Sequence, residues 1–119
     1  MALGRKITGG KYKKARKKKK YELGGQTRVV KLGEKKTKVM RVRGGNEKLV
    51  SLSQNKINLI KNGKAKVVEI KNVVETPSNR FLARQNILTR GAIVETELGK
   101  ARITNKPSQE GNVQGIIIE

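Results

Sequence analysis

From Met1 to Lys20 the chain offers almost nothing to bury, and from about residue 27 onward apolar and polar positions alternate in short runs. Thr27-Arg28-Val29-Val30-Lys31-Leu32 is the first run, closed by Gly33-Glu34-Lys35-Lys36 as a turn. In Thr37 to Arg43, Lys38, Met40 and Val42 fall on one strand face, and Val39, Arg41 and Arg43 on the other. Gly44-Gly45-Asn46 breaks that strand. Lys48 to Ser53, Lys56 to Lys61 and Ala65 to Ile70 read as further strands. Asn62-Gly63, between the last two, is the strongest hairpin signal in the chain. Val73 to Thr76 is another short strand or a continuation past a bulge.

One segment has helical spacing. Pro77 ends a strand, Ser78 or Asn79 can cap, and Phe81, Leu82 and Gln85 follow as a helix of about two turns before Gly91. Phe81 is expected in the core, beside Leu82. Strands then resume with Ala92 to Glu97, a turn at Leu98-Gly99, and Lys100 to Asn105, which reads as a hairpin. Lys106 to Gly111 is a loop. Val113 to Ile118 closes the chain, its three isoleucines pointing to burial on both faces or a place in a closed barrel. This spacing predicts a mainly β fold, a small β-barrel of about seven short strands with one short helix. Residues 1–26 form an extended basic arm in this reading, and residues 27–119 the β-barrel body.

Charge sharpens the division. Among 119 residues, 29 are Lys or Arg and nine are acidic, for a net charge of +20. Residues 1–20 hold ten of the basic residues and no acid. Self-repulsion on this scale opposes a compact state unless a polyanion neutralises it, which points to nucleic acid. A block of like charge stays disordered by itself and serves as a nucleic-acid-binding arm.

The chemistry that is missing narrows the function. There is no His, Cys, Trp or Asp. Without His and Cys there is no Ser/His or Cys/His nucleophile, no structural zinc site and no disulfide, so neither an enzyme nor a cofactor is expected. The basic N-terminus lacks the apolar run of a signal peptide, and no segment approaches the roughly 20 apolar residues that span a bilayer. The expectation is a soluble intracellular protein.

Three clusters are candidate RNA contacts. In the first, Gly9-Gly10 lets backbone approach a phosphate and form an anion nest, flanked by Arg5, Lys6, Lys11, Lys13 and Lys14, with Arg16, Lys17, Lys18, Lys19 and Lys20 beyond. The segment comes close to a P-loop, but its Lys is one place late and Tyr12 follows, so nucleotide hydrolysis is rejected. The second cluster is Arg41, Arg43, Gly44, Gly45 and Asn46, with both guanidiniums on one strand face to grip phosphates or stack on a base. The third is Arg80, Arg84 and Arg90 around the helix, Arg80 and Arg84 being four apart on one side. Three aromatics, Tyr12, Tyr21 and Phe81, are too few for a stacking platform. Glu95 and Glu97 share a strand face, where cross-strand pairing with Lys100 or Arg102 is favoured over a cation.

With these residues in place, the chain resembles the S8e family of small-subunit ribosomal proteins of archaea and eukaryotes. The resemblance rests on Arg5-Lys6-Ile7-Thr8-Gly9-Gly10-Lys11, Lys17-Lys18-Lys19-Lys20-Tyr21-Glu22-Leu23-Gly24 and Val39-Met40-Arg41-Val42-Arg43-Gly44-Gly45-Asn46. It continues through Asn79-Arg80-Phe81-Leu82-Ala83-Arg84-Gln85 and Gly91 to Ala101. These motifs run in the family's order over nearly the whole chain. The resemblance implies a β-barrel body whose basic extension threads into 16S-type rRNA, beside neighbouring small-subunit proteins, with a structural role in assembly. The uninterrupted body is similar to the compact archaeal form, with a cytoplasmic location in the ribosome. An assembly factor or a non-specific RNA chaperone is the alternative. A membrane partner is disfavoured, because no amphipathic helix or lipidation signal accompanies the basic block, and no small-molecule substrate is implied.

Overall fold

In the computed structural model, residues 4–118 are described. Their chain order is a 3-10 turn at Lys20–Glu22, β1 (Lys31–Leu32), β2 (Lys36–Arg41), a second 3-10 turn at Arg43–Gly45, β3 (Glu47–Gln54), β4 (Lys56–Lys61) and β5 (Lys64–Glu75). Helix α1 (Arg80–Arg84), β6 (Ile93–Thr96), β7 (Gly99–Ile103) and β8 (Gln114–Ile117) follow. Among the described residues, eight strands and one α-helix bear out the mainly β expectation.

Five of the strands, β4-β5-β6-β7-β8, close into a barrel. It starts at a turn whose chemistry is local. Asn62 and Gly63 adopt φ 49° and 75°, the left-handed pair that a tight primed turn requires, and place Lys61 opposite Lys64. Strand β5 is continuous, so the candidate strands at Ala65 to Ile70 and Val73 to Thr76 are one element. Its first half, Lys64 to Glu69, pairs with β4, and its second half, from Ile70 to Glu75, pairs with β6. Register shifts between Ile70 and Asn72 and between Val73 and Glu75 mark bulges, which raise the local twist and let one strand serve both neighbours. Strands β6 and β7 turn through Glu97 and Leu98, one residue earlier than Leu98-Gly99.

Closure is parallel. Asn58, Leu59 and Ile60 of β4 pair with Gln114, Gly115 and Ile116 of β8. Gly115 lies in that seam with no room for a side chain, since a Cβ there would stand 2.7 Å from the Arg102 carbonyl oxygen and 2.8 Å from Ile57 Cδ1. Inside, Ile57, Leu59, Val68, Ile70, Val73, Val94, Ala101, Ile103 and Val113 form the core with Val30, Leu88 and Ala92. Of the alternatives for the three closing isoleucines, the closed barrel holds and two-sided burial does not, because Ile116 points outward and is 44% exposed.

The other strands stand apart from the barrel as a sheet in the order β1-β3-β2, with β1 parallel and β2 antiparallel to β3. The run from Thr27 forms a strand only at Lys31–Leu32, the preceding residues passing as extended chain. Val30 nevertheless enters the core, where its carbonyl accepts the Leu88 N–H at 2.9 Å. Buried Ser51 and Gln54 join this sheet to the loop before β8. The Ser51 hydroxyl donates to the Glu110 carbonyl at 3.0 Å, and the Gln54 amide donates to the Ser51 hydroxyl and the Gly111 carbonyl, each at 3.0 Å. Two buried polar side chains are thereby satisfied, as stability demands.

Candidate nucleic-acid interface

Every side chain from Gly4 to Tyr21 is exposed, so the arm's charge faces outward. Within it, residues 5–11 form a small closed loop. Arg5 and Lys11 make an antiparallel bridge, the Lys6 N–H donates to the Gly10 carbonyl at 2.8 Å, and the Gly9 N–H donates to the Lys6 carbonyl at 2.9 Å. Gly9 takes φ 79°, a conformation that suits glycine. The loop therefore uses the Lys6 and Gly9 N–H groups internally, and they are not free for an anion nest. The Arg5 guanidinium folds back to donate to the Gly9 carbonyl at 3.0 Å, and the Lys6 ammonium sits 5.6 Å from the Tyr12 ring centroid. Lys11, Lys13 and Lys14 project from the loop's exit.

A second organised piece ends the arm. The Arg16 guanidinium donates through both terminal nitrogens to Glu22, at 2.9 and 2.6 Å. The same carboxylate accepts the Lys19 backbone N–H at 3.0 Å and caps the 3-10 turn at Lys20–Glu22. Arg16 is the main cause holding the Glu22 carboxyl below its usual range, with the Lys19 N–H adding to it, and Glu22 raises Arg16 further above its own. Among the described residues this is the one ion pair. Arg16's fork is thus occupied, while Lys17, Lys18, Lys19 and Lys20 form no ion pair among the described residues, Lys19 lying 6.0 Å from the Tyr21 ring centroid.

The second cluster is arranged differently from the expectation. Arg41 ends β2, opposite Glu47, but Arg43 does not share its strand face. The chain leaves the strand after Arg41 because Gly44 and Gly45 both take left-handed conformations, φ 81° and 78°, and the Val42 N–H closes the turn on the Asn46 carbonyl at 2.7 Å. Arg43 reaches instead to the arm, donating to the Tyr21 carbonyl at 3.0 Å. A Cβ on Gly45 would meet nothing within 4 Å, so this turn presents open backbone, with the Asn46 amide beside Gly44.

In the third cluster the Asn79 carboxamide caps α1 by accepting the Phe81 N–H at 3.0 Å. Arg80 and Arg84 line one shallow cleft with Asn72, Val74 and Asn86. Phe81 is not in the core: it is 62% exposed, since a helix of five residues presents only Leu82 and Ala83 inward. Arg90 is not brought to that cleft. It lines a different groove with Arg28 and Lys106, two cations that chain order does not group with it. Lys61, Lys64 and Lys66 belong to none of the three sequence clusters either, and line one pocket at the β4–β5 turn. Their alternate spacing around Asn62-Gly63 is the signal that could have found them.

Glu95 stands opposite Lys100 in register without forming an ion pair among the described residues, whereas Glu97 has left the strand for the turn. Among the described residues no three acidic or other ligating side chains converge on a metal-sized site, and no helix is long and apolar enough to cross a membrane.

The sequence profile of ribosomal protein S8e matches residues 2–118. The chain belongs to this family. It is 47% identical over 117 residues to the small ribosomal subunit protein eS8 of Nanoarchaeum equitans (strain Kin4-M), covering 97% of this chain and 92% of that one. The small ribosomal subunit protein eS8 of Methanococcus aeolicus (strain ATCC BAA-1280 / DSM 17508 / OCM 812 / Nankai-3) is 45% identical over 96% of this chain and 91% of its own. That of Haloarcula marismortui (strain ATCC 43049 / DSM 3752 / JCM 8966 / VKM B-1809) is 40% identical, with 97% and 94% covered.

Proposed function

We propose that this chain is a structural constituent of the small (30S) ribosomal subunit, located in the cytoplasm, and that it binds 16S-type rRNA and packs among neighbouring small-subunit proteins. Family membership supports the subunit assignment, and the carrying observation for RNA is the arm. Residues 1–20 carry ten cations and no acid, and every described side chain among them is exposed. The radius of gyration, 21.0 Å, far exceeds the roughly 13 Å of a compact 100-residue domain, and the long axis measures 67 Å. Such a shape buries charge only against something else.

The mechanism is electrostatic and steric. Lys and Arg of the arm collect phosphates and release the counterions condensed on them, while the body docks by shape. Ordering an extended arm costs conformational entropy. The loop at 5–11, the Arg16–Glu22 clasp and the Arg43–Tyr21 bond offset part of that cost by ordering the arm in short pieces beforehand. With RNA charge neutralised, rRNA helices pack that would otherwise repel. Sedimentation of a native lysate at low salt and after a high-salt wash tests this. Recovery at one copy per small subunit through the wash is expected. Loss on washing, or recovery only with precursor particles, would favour an assembly factor or RNA chaperone.

A further inference from the structure

We propose that the open end of the barrel is a second, arm-independent phosphate site, built by Lys61, Lys64 and Lys66 and taking the phosphodiester backbone of RNA. The inference rests on the ribosomal reading for the identity of the polyanion, but on different residues for its geometry.

Three observations converge. Leu59 and Lys61 of β4 alternate onto the side of the sheet that faces the barrel interior, and Lys64 and Lys66 of β5 stand opposite Lys61 and Leu59 in register. Leu59 is fully buried and is the last core residue on its strand; one step of the pleat further on, the interior side carries lysines. The three lysines line one pocket with Leu59, Asn62 and Leu98, the last from the turn between β6 and β7. The lining contains no carboxylate, and none of the three lysines forms an ion pair among the described residues.

The energetics of the free protein argue against accident. Like charges placed directly opposite on paired strands are destabilising. Lys61 and Lys64 occupy such a pair, and the tight turn at Asn62-Gly63 prevents the strands from splaying to relieve it. An anion seated between them removes the repulsion. An apolar floor of Leu59 and Leu98 lowers the local dielectric and strengthens each ammonium–phosphate contact. Lysines act as point charges without planar geometry, so the site takes phosphates of any sequence. An RNA backbone fits because it supplies several phosphates at close spacing to three separate ammonium groups.

The test uses the full chain, purified archaeal 16S-type rRNA and filter binding across a salt series. The variant Lys61→Gln/Lys64→Gln/Lys66→Gln is compared with a control of equal charge change, Lys31→Gln/Lys36→Gln/Lys71→Gln, three exposed lysines on three different strands. The pocket variant is expected to lower the salt slope by about 2 to 3, at about 0.9 for each phosphate that is no longer neutralised, and the control by less than about 1. A separate readout comes from the free protein: Lys64→Gln should raise the unfolding temperature at low salt while weakening RNA binding. Equal decreases in the two triple variants would reduce the effect to net charge and overturn the site. Unchanged rRNA binding together with abolished binding to poly-glutamate would assign the pocket to an acidic protein instead, and overturn it too. If the unaltered protein does not bind the rRNA, the ribosomal reading falls, and this site with it.

Discussion

Arg43 and Tyr21 are 22 positions apart and joined by one hydrogen bond, from the Arg43 guanidinium to the Tyr21 carbonyl at 3.0 Å. This bond ties the end of the basic arm to the turn between β2 and β3. The arm is therefore anchored at a defined place on the body, and its direction of departure is set by a side chain of that turn. Arg43→Ala should leave global stability within about 0.5 kcal/mol, as befits an exposed contact. Backbone amides of residues 19–23 should become more mobile by NMR relaxation. Unchanged relaxation there would show that the bond does not hold the arm.

The Arg16–Glu22 clasp has a predictable pH window. Glu22 is depressed by Arg16 first and by the Lys19 N–H second, so the clasp is intact above the ordinary carboxylate range and is lost as pH falls through the lowered folded value. An NMR titration of the Glu22 side chain should give a midpoint below that of a model glutamate, and Arg16→Gln should return most of the difference. Because the pair lies at the surface, with Arg16 exposed and Glu22 half-buried, added salt should weaken the shift as well. Identical midpoints in the two proteins would refute the coupling.

Removing residues 1–20 subtracts ten positive charges from a segment whose described residues contribute nothing to the core. The truncated chain should retain β-sheet circular dichroism, while its salt slope for rRNA binding should flatten by several units. Collapse of the circular dichroism signal would mean that the arm and the body are one folding unit.

Packing at the barrel seam sets the penalty for Gly115. Gly115→Ala brings a methyl group against the Arg102 backbone carbonyl and Ile57, neither of which can swing away, and should cost about 2 kcal/mol in urea unfolding. Gly111→Ala meets Leu49 instead, with a Cβ 2.5 Å from Leu49 Cδ2. Leu49 is 45% exposed and can rotate outward, so the destabilisation there should be clearly smaller. Equal penalties would contradict the seam geometry.

Alternation along β4 supplies a similar contrast. Leu59 is fully buried and Ile60 is 56% exposed. Leu59→Ala should cost about 3 kcal/mol, whereas Ile60→Ala should stay below about 1 kcal/mol. Comparable values would place the barrel in the wrong register.

Local features were legible without the structure. The Asn62-Gly63 turn, the limits of β4 and a helix cap at Ser78 or Asn79 all follow from neighbouring residues, whose conformational preferences act over a few positions. The open backbone at Gly9-Gly10 was legible too, but the closing of residues 5–11 into a loop that uses the Lys6 and Gly9 N–H groups internally was not. What required the tertiary structure depends on residues far apart in the chain. Parallel closure joins Asn58 to Gln114, and no pattern inside either strand specifies that partner. The division into a three-stranded sheet and a five-stranded barrel follows from it. Phe81 looked like core by its type alone, but helix length and facing decided otherwise. Arg43 looked like a partner of Arg41 by strand period, until two left-handed glycines ended the strand and sent it to Tyr21. The gathering of Lys61, Lys64 and Lys66 around Leu59 and Leu98 is likewise a product of closure. Alternation places the three lysines on one side of the sheet, but only a closed barrel brings the turn carrying Leu98 across to complete the pocket.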